Sequence, residues 1–317
     1  MKKFTAIILA LISAVTVFSG CNANINTDSG KFNIICTIYP EYDWVKNLTE
    51  GAENVETTLL LDSGVDMHSY QPSVGDIVKI STCDMFIFVG GESDNWVYDA
   101  LDQAQNKDMI VVNLLDILGD KAKEAEEVEG MQADKKADEE PELDEHVWLS
   151  LKNAELFCSE ISDKLIKADS ANKDIYEKNT SNYMNQLDEI DKKYQSELAN
   201  AKHDTLIFCD RFPFRYLVDD YNLKYYAAFP GCSSETDASF ETVIFLSDKL
   251  DELGLPALIT VDGADSRFAD TVILASHSKS AEVLTLNSMQ SETLKKTDSS
   301  YLSIMENNLE VLKKALN

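Results

Sequence analysis

The chain has 317 residues, 44% of them hydrophobic, and a formal net charge of −28. That is enough apolar material for one large domain or two lobes of ordinary size. The acidic excess argues against nucleic acid or anionic lipid head groups as partners and draws cations towards the surface. Six cysteines occur, at Cys21, Cys36, Cys83, Cys158, Cys209 and Cys232, with no CxxC pair. Setting aside Cys21 leaves an odd number in a chain too large to need a disulfide scaffold, so buried apolar thiols are expected for most and no bridge is assigned.

In chain order, Lys2 and Lys3 precede an apolar run from Phe4 to Phe18, closed by Ser19-Gly20-Cys21. A positive start, an apolar core and small residues before a cut make a secretory signal. The run is short of the roughly 20 residues that a membrane span needs. The cysteine after the small pair resembles the lipobox of bacterial lipoproteins, whose cysteine is acylated and becomes the new N-terminus. This resemblance implies a signal peptide over 1–20, lipidation of Cys21 with palmitate-type chains, and an extracytoplasmic protein anchored to the bacterial cell membrane. The competing readings are a plain signal peptide cut nearby and an uncleaved anchor. Cleavage would leave about 297 residues and a charge of −30, since the leader carries two lysines.

A polar tether over 21–30 leads to a strand at 32–38, ended by Tyr39-Pro40, and a helix over 41–50. Strands then follow at 55–61, 85–89 and 109–114, with helices at 74–81 and 96–104. Short apolar strands alternating with helical patterns predict βαβ units and a parallel sheet covered on both faces. Lys121 to Glu145 breaks the rhythm with eleven acidic residues and four lysines. It reads as a mobile, solvated loop. From Asn153 to Asn200 there is no glycine or proline. Leu165, Ile175, Tyr183, Leu187, Ile190, Tyr194 and Leu198 recur there at three- and four-residue steps, which predicts two helices. The second, from Lys173 to about Asn200, would be about 42 Å long.

Alternation resumes with strands at 205–209, 224–229, 257–261 and 283–286, and helices at 213–221, 240–253, 269–277 and 301–316. The expected fold class is therefore α/β: two parallel-sheet lobes of (β/α)4 type joined by a long rigid helix. The expected division is an N-terminal lobe over 31–165 containing the acidic loop 120–145, a linking helix over 166–202, and a C-terminal lobe over 203–317. A ligand in such a design belongs at the carboxyl ends of the strands, between the lobes.

Only four histidines occur. His68 lies in the loop Asp62-Ser-Gly-Val-Asp-Met-His-Ser-Tyr-Gln-Pro72, after the second strand, where a side chain can meet a ligand in the cleft. Taken alone, such a histidine is more often merely exposed. His146 follows the acidic loop, and the adjacent Asp144 and Glu145 either orient its ring or simply end a charge run. His203 is expected at the surface, and His277, at a helix C-terminus, reads as structural.

At these residues the sequence resembles the solute-binding lipoproteins of zinc and manganese ABC importers, through nearly the whole mature chain. Gly64-Val-Asp-Met-His68-Ser-Tyr-Gln-Pro72 is similar to the family's G-x-D-x-H-x-Y-x-P loop, whose histidine is the first metal ligand. Asp76 to Ile80 and Cys83 to Gly90 are similar to its next helix and strand. Asp144-Glu-His146-Val-Trp-Leu fits its D-x-H-x-W-L motif, which carries the second ligand. Phe208-Cys-Asp210-Arg-Phe-Pro-Phe-Arg-Tyr216 matches the segment of the third, so Asp210 takes that role by resemblance. The fourth ligand falls in Leu284-Thr-Leu-Asn287-Ser-Met-Gln290, where Asn287 is a weaker donor than the family's Asp or His. Water, Glu235 or Asp262 are the alternatives.

The resemblance implies a binding protein rather than an enzyme. It would be a monomer that captures extracellular Zn²⁺ and delivers it to an ABC-importer permease, with no nucleic-acid partner. Two imidazoles and a carboxylate suit Zn²⁺ or Mn²⁺, and the affinity order favours zinc. Relatives with a long charged loop before the second histidine tend to bind zinc, although this loop contains no histidine. A manganese importer component and a zinc-dependent hydrolase are the alternatives. The sequence has no HExxH, nucleophile elbow or Gly-rich phosphate loop to favour hydrolysis.

Overall fold

The structure is a computed structural model describing residues 30–132, 142–232, 238–295 and 300–317. The first half runs β1 (Phe32–Cys36), α1 (Tyr39–Leu48), β2 (Val55–Leu59), α2 (Val74–Thr82), β3 (Met85–Phe88), α3 (Asn95–Asp102), β4 (Ile110–Asn113) and α4 (Leu114–Leu118). Two long helices follow, α5 (Leu151–Ala168) and α6 (Lys173–Leu198). The second half runs β5 (Thr205–Phe212), α7 (Arg215–Asp220), β6 (Lys224–Pro230), α8 (Phe240–Leu253), β7 (Ala257–Val261), α9 (Arg267–Ala275), β8 (Glu282–Leu286) and α10 (Tyr301–Ala315).

The strands form two four-stranded sheets, in the orders β2-β1-β3-β4 and β6-β5-β7-β8, and every pairing is parallel. The α/β class and the long connecting helix are as the periodicity predicts. Every residue of β3 and of β7 is buried, as expected of strands covered by helices on both faces. In each sheet the chain leaves its first strand to one side and returns on the other. This puts a topological switch point between β1 and β3, and another between β5 and β7.

At 1.5 Å per residue, the 26 residues of α6 span about 39 Å. Near its start, the Asn172 amide donates to Glu53 O and Asn179 donates to Leu48 O and Glu50 O. Near its end, the Tyr194 hydroxyl donates to Met305 O and its ring stacks on Tyr221 at 4.9 Å. Between these points Asp43 accepts from the Tyr183 hydroxyl and from the backbone N–H of Tyr301, the first residue of α10. One continuous apolar core, including Trp44, Phe86, Trp148, Phe208 and Tyr301, runs beneath both sheets. Cys36, Cys83, Cys158 and Cys209 are buried free thiols, as expected, while Cys232 is free and exposed.

The acidic loop departs from expectation. Glu124 bridges to Leu143, Lys123 pairs with Asp219, and Arg215 pairs with Glu126. The Lys123 N–H donates to the Tyr216 hydroxyl, and Gln132 N–H donates to Ala228 O. Ala122, Val128 and Met131 pack against the core. The few apolar residues in the charge run thus anchor its first part to the C-terminal sheet, which corrects the reading of a solvated loop there; residues 133–141 lie outside the described residues.

Candidate metal centre

The carboxyl ends of both sheets meet at the two predicted histidines. Gly64, at φ +76°, takes the left-handed conformation that turns the chain after β2. Asp66 then caps a short 3-10 turn, Met67–Ser69, by accepting from the His68 N–H at 3.0 Å. Ser73 and Asp76 form a reciprocal capping box that starts α2. Pinned at both ends, the loop presents the His68 ring towards the cleft. His146 immediately precedes another short 3-10 turn, Val147–Leu149, and is fully buried.

Each imidazole is held through Nδ1. Asp144 Oδ1 lies 3.0 Å from His146 Nδ1 and also accepts from the His146 N–H. His68 Nδ1 lies 2.7 Å from Ser93 Oγ and 3.5 Å from Glu145 Oε2, and Glu145 Oε1 accepts from the Ser93 N–H. Asp144 therefore orients His146, whereas Glu145 faces the other histidine. An ionised carboxylate only accepts, so the proton of His146 sits on Nδ1 and leaves a lone pair on Nε2. For His68 it is Glu145 Oε2, facing Nδ1, that favours the same tautomer, since the Ser93 hydroxyl can donate or accept. Burial, reinforced by the neighbouring His146, lowers the His68 pKa and keeps the ring neutral at physiological pH. Burial also raises the pKa of Glu145, against the hydrogen bonds from Ser93.

The two Nε2 atoms stand 3.2 Å apart. Gln290, beyond β8, places its amide nitrogen 2.9 Å from His68 Nε2 and 2.8 Å from His146 Nε2. One amide NH2 thus meets two converging lone pairs, a place a cation can take. Cys232, just beyond β6, brings its sulfur into the same group: donor atoms of His68, His146 and Cys232 all lie within 4.8 Å of one another. Among the described residues no other three His, Cys, Asp or Glu side chains converge in this way. Gly231 lies against the His146 ring, where a Cβ would come within 2.9 Å of Cε1 and 2.7 Å of Phe212 O.

The expected third and fourth ligands are placed differently. Asp210 sits where a bulge interrupts the pairing of β5 with β6. Its Oδ1 accepts from the Arg211 N–H and its Oδ2 from the Val261 N–H, so the carboxylate ties β5 to β7 at the switch point, outside the converging group. Asn287 is turned away: its amide donates to Glu292 and its carbonyl oxygen accepts from the Met289 N–H. Its side chain thereby builds the turn that carries Gln290. Asp262 braces the same turn, accepting from the Ser288 N–H and hydroxyl. Trp148, two residues after His146, donates to Ser288 O. Met289 holds a left-handed φ of +59° within this braced turn.

His203 is half-buried rather than a surface residue, and His277 pairs with Asp251 on an exposed face. Glu235 and Cys21 lie outside the described residues. Sequence reasoning missed Ser93, Cys232 and Gln290. Gln290 ends the very segment that was singled out. The signal for Cys232 was Pro230-Gly-Cys at a strand end, where glycine allows close approach.

The family profile described as "Zinc-uptake complex component A periplasmic" matches residues 34–315. A zinc-binding lipoprotein AdcA of Streptococcus pneumoniae is 31% identical over 99% of this chain, which spans 61% of that relative. The high-affinity zinc uptake system protein ZnuA of Bacillus subtilis is 26% identical over 96% of this chain and 94% of its own length. Among solved structures, the metal-dependent lipoprotein YcdH of Bacillus subtilis superposes with TM-score 0.74 at 26% identity, covering 90% of this chain and 100% of that one. The Zn(II)-bound ZnuA-like domain of Streptococcus pneumoniae AdcA gives 0.71 at 27%, covering 90% and 99%. With its whole two-sheet body matched in sequence and in fold, the chain belongs to the zinc-uptake complex component A family.

Proposed function

We propose that the protein captures extracellular Zn²⁺ at His68 and His146 and delivers it to an ABC-importer permease. The observation that carries this reading is the pair of Nε2 atoms 3.2 Å apart. Two neutral imidazoles with their lone pairs aimed at one point repel each other until a proton, a donor or a cation lies between them. Zinc bonded to two imidazoles at about 2.0–2.1 Å in tetrahedral geometry sets its nitrogens about 3.3 Å apart. The carboxylates behind Nδ1 make each ring a better donor. Membership in a zinc-uptake family, and relatives named for zinc binding and zinc uptake, support zinc as the cargo and an extracytoplasmic site of action.

Calorimetric titration of the mature chain with zinc tests this reading. The wild type should bind one equivalent tightly, and the double variant His68→Ala, His146→Ala should lose that binding. Undiminished affinity in the double variant refutes the site. Anchoring through Cys21 belongs to the same proposal: Cys21→Ala should release the protein into the medium and abolish acyl labelling.

A further inference from the structure

We infer that Cys232 is a third protein ligand of the captured ion, making a site of two nitrogens and one sulfur that prefers zinc to manganese. The inference rests on the zinc-capture reading and names the donor that gives it selectivity. Its basis is geometric. The sulfur and one nitrogen of each imidazole already lie within 4.8 Å of one another. From bond lengths of about 2.05 Å to nitrogen and about 2.3 Å to sulfur, a tetrahedral zinc needs nitrogen and sulfur about 3.6 Å apart. A shift of about 1 Å, well within one side-chain rotation, closes the shell.

Gly231 makes this approach possible. The chain runs flush against the His146 ring because residue 231 has no Cβ to hold it off, and Cys232 follows directly, with its sulfur in the converging group. The alternative donor on the same side, Asp210, has an oxygen each on the Arg211 and Val261 N–H groups. Turning it fully to the ion would loosen the Val261 bond, the one that joins β5 to β7. On binding, zinc forms a bond to Cys232 Sγ as the thiol proton leaves to solvent. The two Nε2 atoms contribute lone pairs in place of their hydrogen bonds from Gln290, and no electron is transferred. Thiolate sulfur suits zinc, whereas manganese favours oxygen donors.

The test is zinc X-ray absorption on the full mature chain, reduced with a phosphine and loaded with one equivalent of zinc. One sulfur scatterer at about 2.3 Å, beside nitrogen and oxygen at about 2.0–2.1 Å, is expected. Cys232→Ser should remove the sulfur shell and raise the zinc Kd at least 10- to 100-fold, roughly the cost of losing even an outer-sphere partner. It should also narrow the zinc-over-manganese ratio in competition, while Asp210→Asn leaves the sulfur shell in place. A shell of nitrogen and oxygen only, with tight zinc binding retained, overturns the cysteine assignment and leaves zinc capture standing. Failure of the wild type to bind zinc overturns both.

Discussion

Carboxylates crowd both sides of the cleft, but they do different work on each. Around the imidazoles, Asp144 and Glu145 face ring nitrogens at 3.0 and 3.5 Å. At the ends of the C-terminal strands, Asp210 and Asp262 accept from backbone N–H groups. The first pair tunes donors and the second shapes loops. Whether an acidic residue at a strand end tunes a donor or shapes a loop depends on which groups lie against its oxygens, since a carboxylate that accepts one N–H keeps further lone pairs for other partners. That condition belongs to the three-dimensional neighbourhood, not to the residue type.

The sharpest way to break the comparison is Asp144→Asn. The amide can offer His146 Nδ1 a donor, which favours the wrong tautomer, so the zinc Kd should rise about 10- to 100-fold while the fold persists. Calorimetry on the variant checks it, and an unchanged Kd would mean that the carboxylate is only a structural brace. Glu41 gives the next effect. It is buried, its Oε2 accepts from Thr37 and Ile38, and burial, with Asp94 nearby, pushes its pKa from 4.5 up to about 8. A raised acid favours the protonated folded state, so its contribution is full below about pH 4.5 and falls away as pH rises through 8. Glu41→Gln should flatten the decline in stability between pH 5 and 8, worth up to about 3.5 kcal/mol, in urea unfolding of metal-free protein. A slope identical to wild type would show that Glu41 does not carry it.

Glu145→Gln should cost less than Asp144→Asn, under about tenfold in zinc Kd. Ser93 Oγ, at 2.7 Å, remains to hold His68 Nδ1. An equal loss in both variants would erase the distinction between a ring with one supporting partner and a ring with two.

Much of this was legible beforehand for definite physical reasons. Buried parallel strands such as Met85–Phe88 and Ala257–Val261 read as unbroken apolar runs, and α6 as a long span without glycine or proline. His68 and His146 stood out because histidine is scarce here and each has an aspartate two residues before it at a chain turn. Asp210, Asn287 and Gln290 were not separable, because their roles follow from a bulge in β5 and a turn after β8 that no residue pattern announces. The first part of the acidic loop misled for a related reason: Ala122, Val128 and Met131 are too sparse to register as a pattern, yet each finds the core.

The weakest expected effect concerns the ion pair across the cleft, Arg211 to Asp66 at 3.0 Å, with the two side chains 30% and 24% exposed. Water and salt reach such a pair, so its worth is at most about 1 kcal/mol. Asp66 has a second duty, since its other oxygen caps the turn carrying His68. Replacing Asp66 would therefore confound the pair with the cap. Arg211→Met removes the charge alone, keeps most of the side chain's bulk, and leaves the cap intact. It should lower unfolding free energy by less than about 1 kcal/mol at low salt, and the difference should shrink at high salt as the charges are screened. A larger or salt-independent loss would place the pair among the structural fastenings with Asp210, and would move Arg211 from the rim of the cleft into its frame.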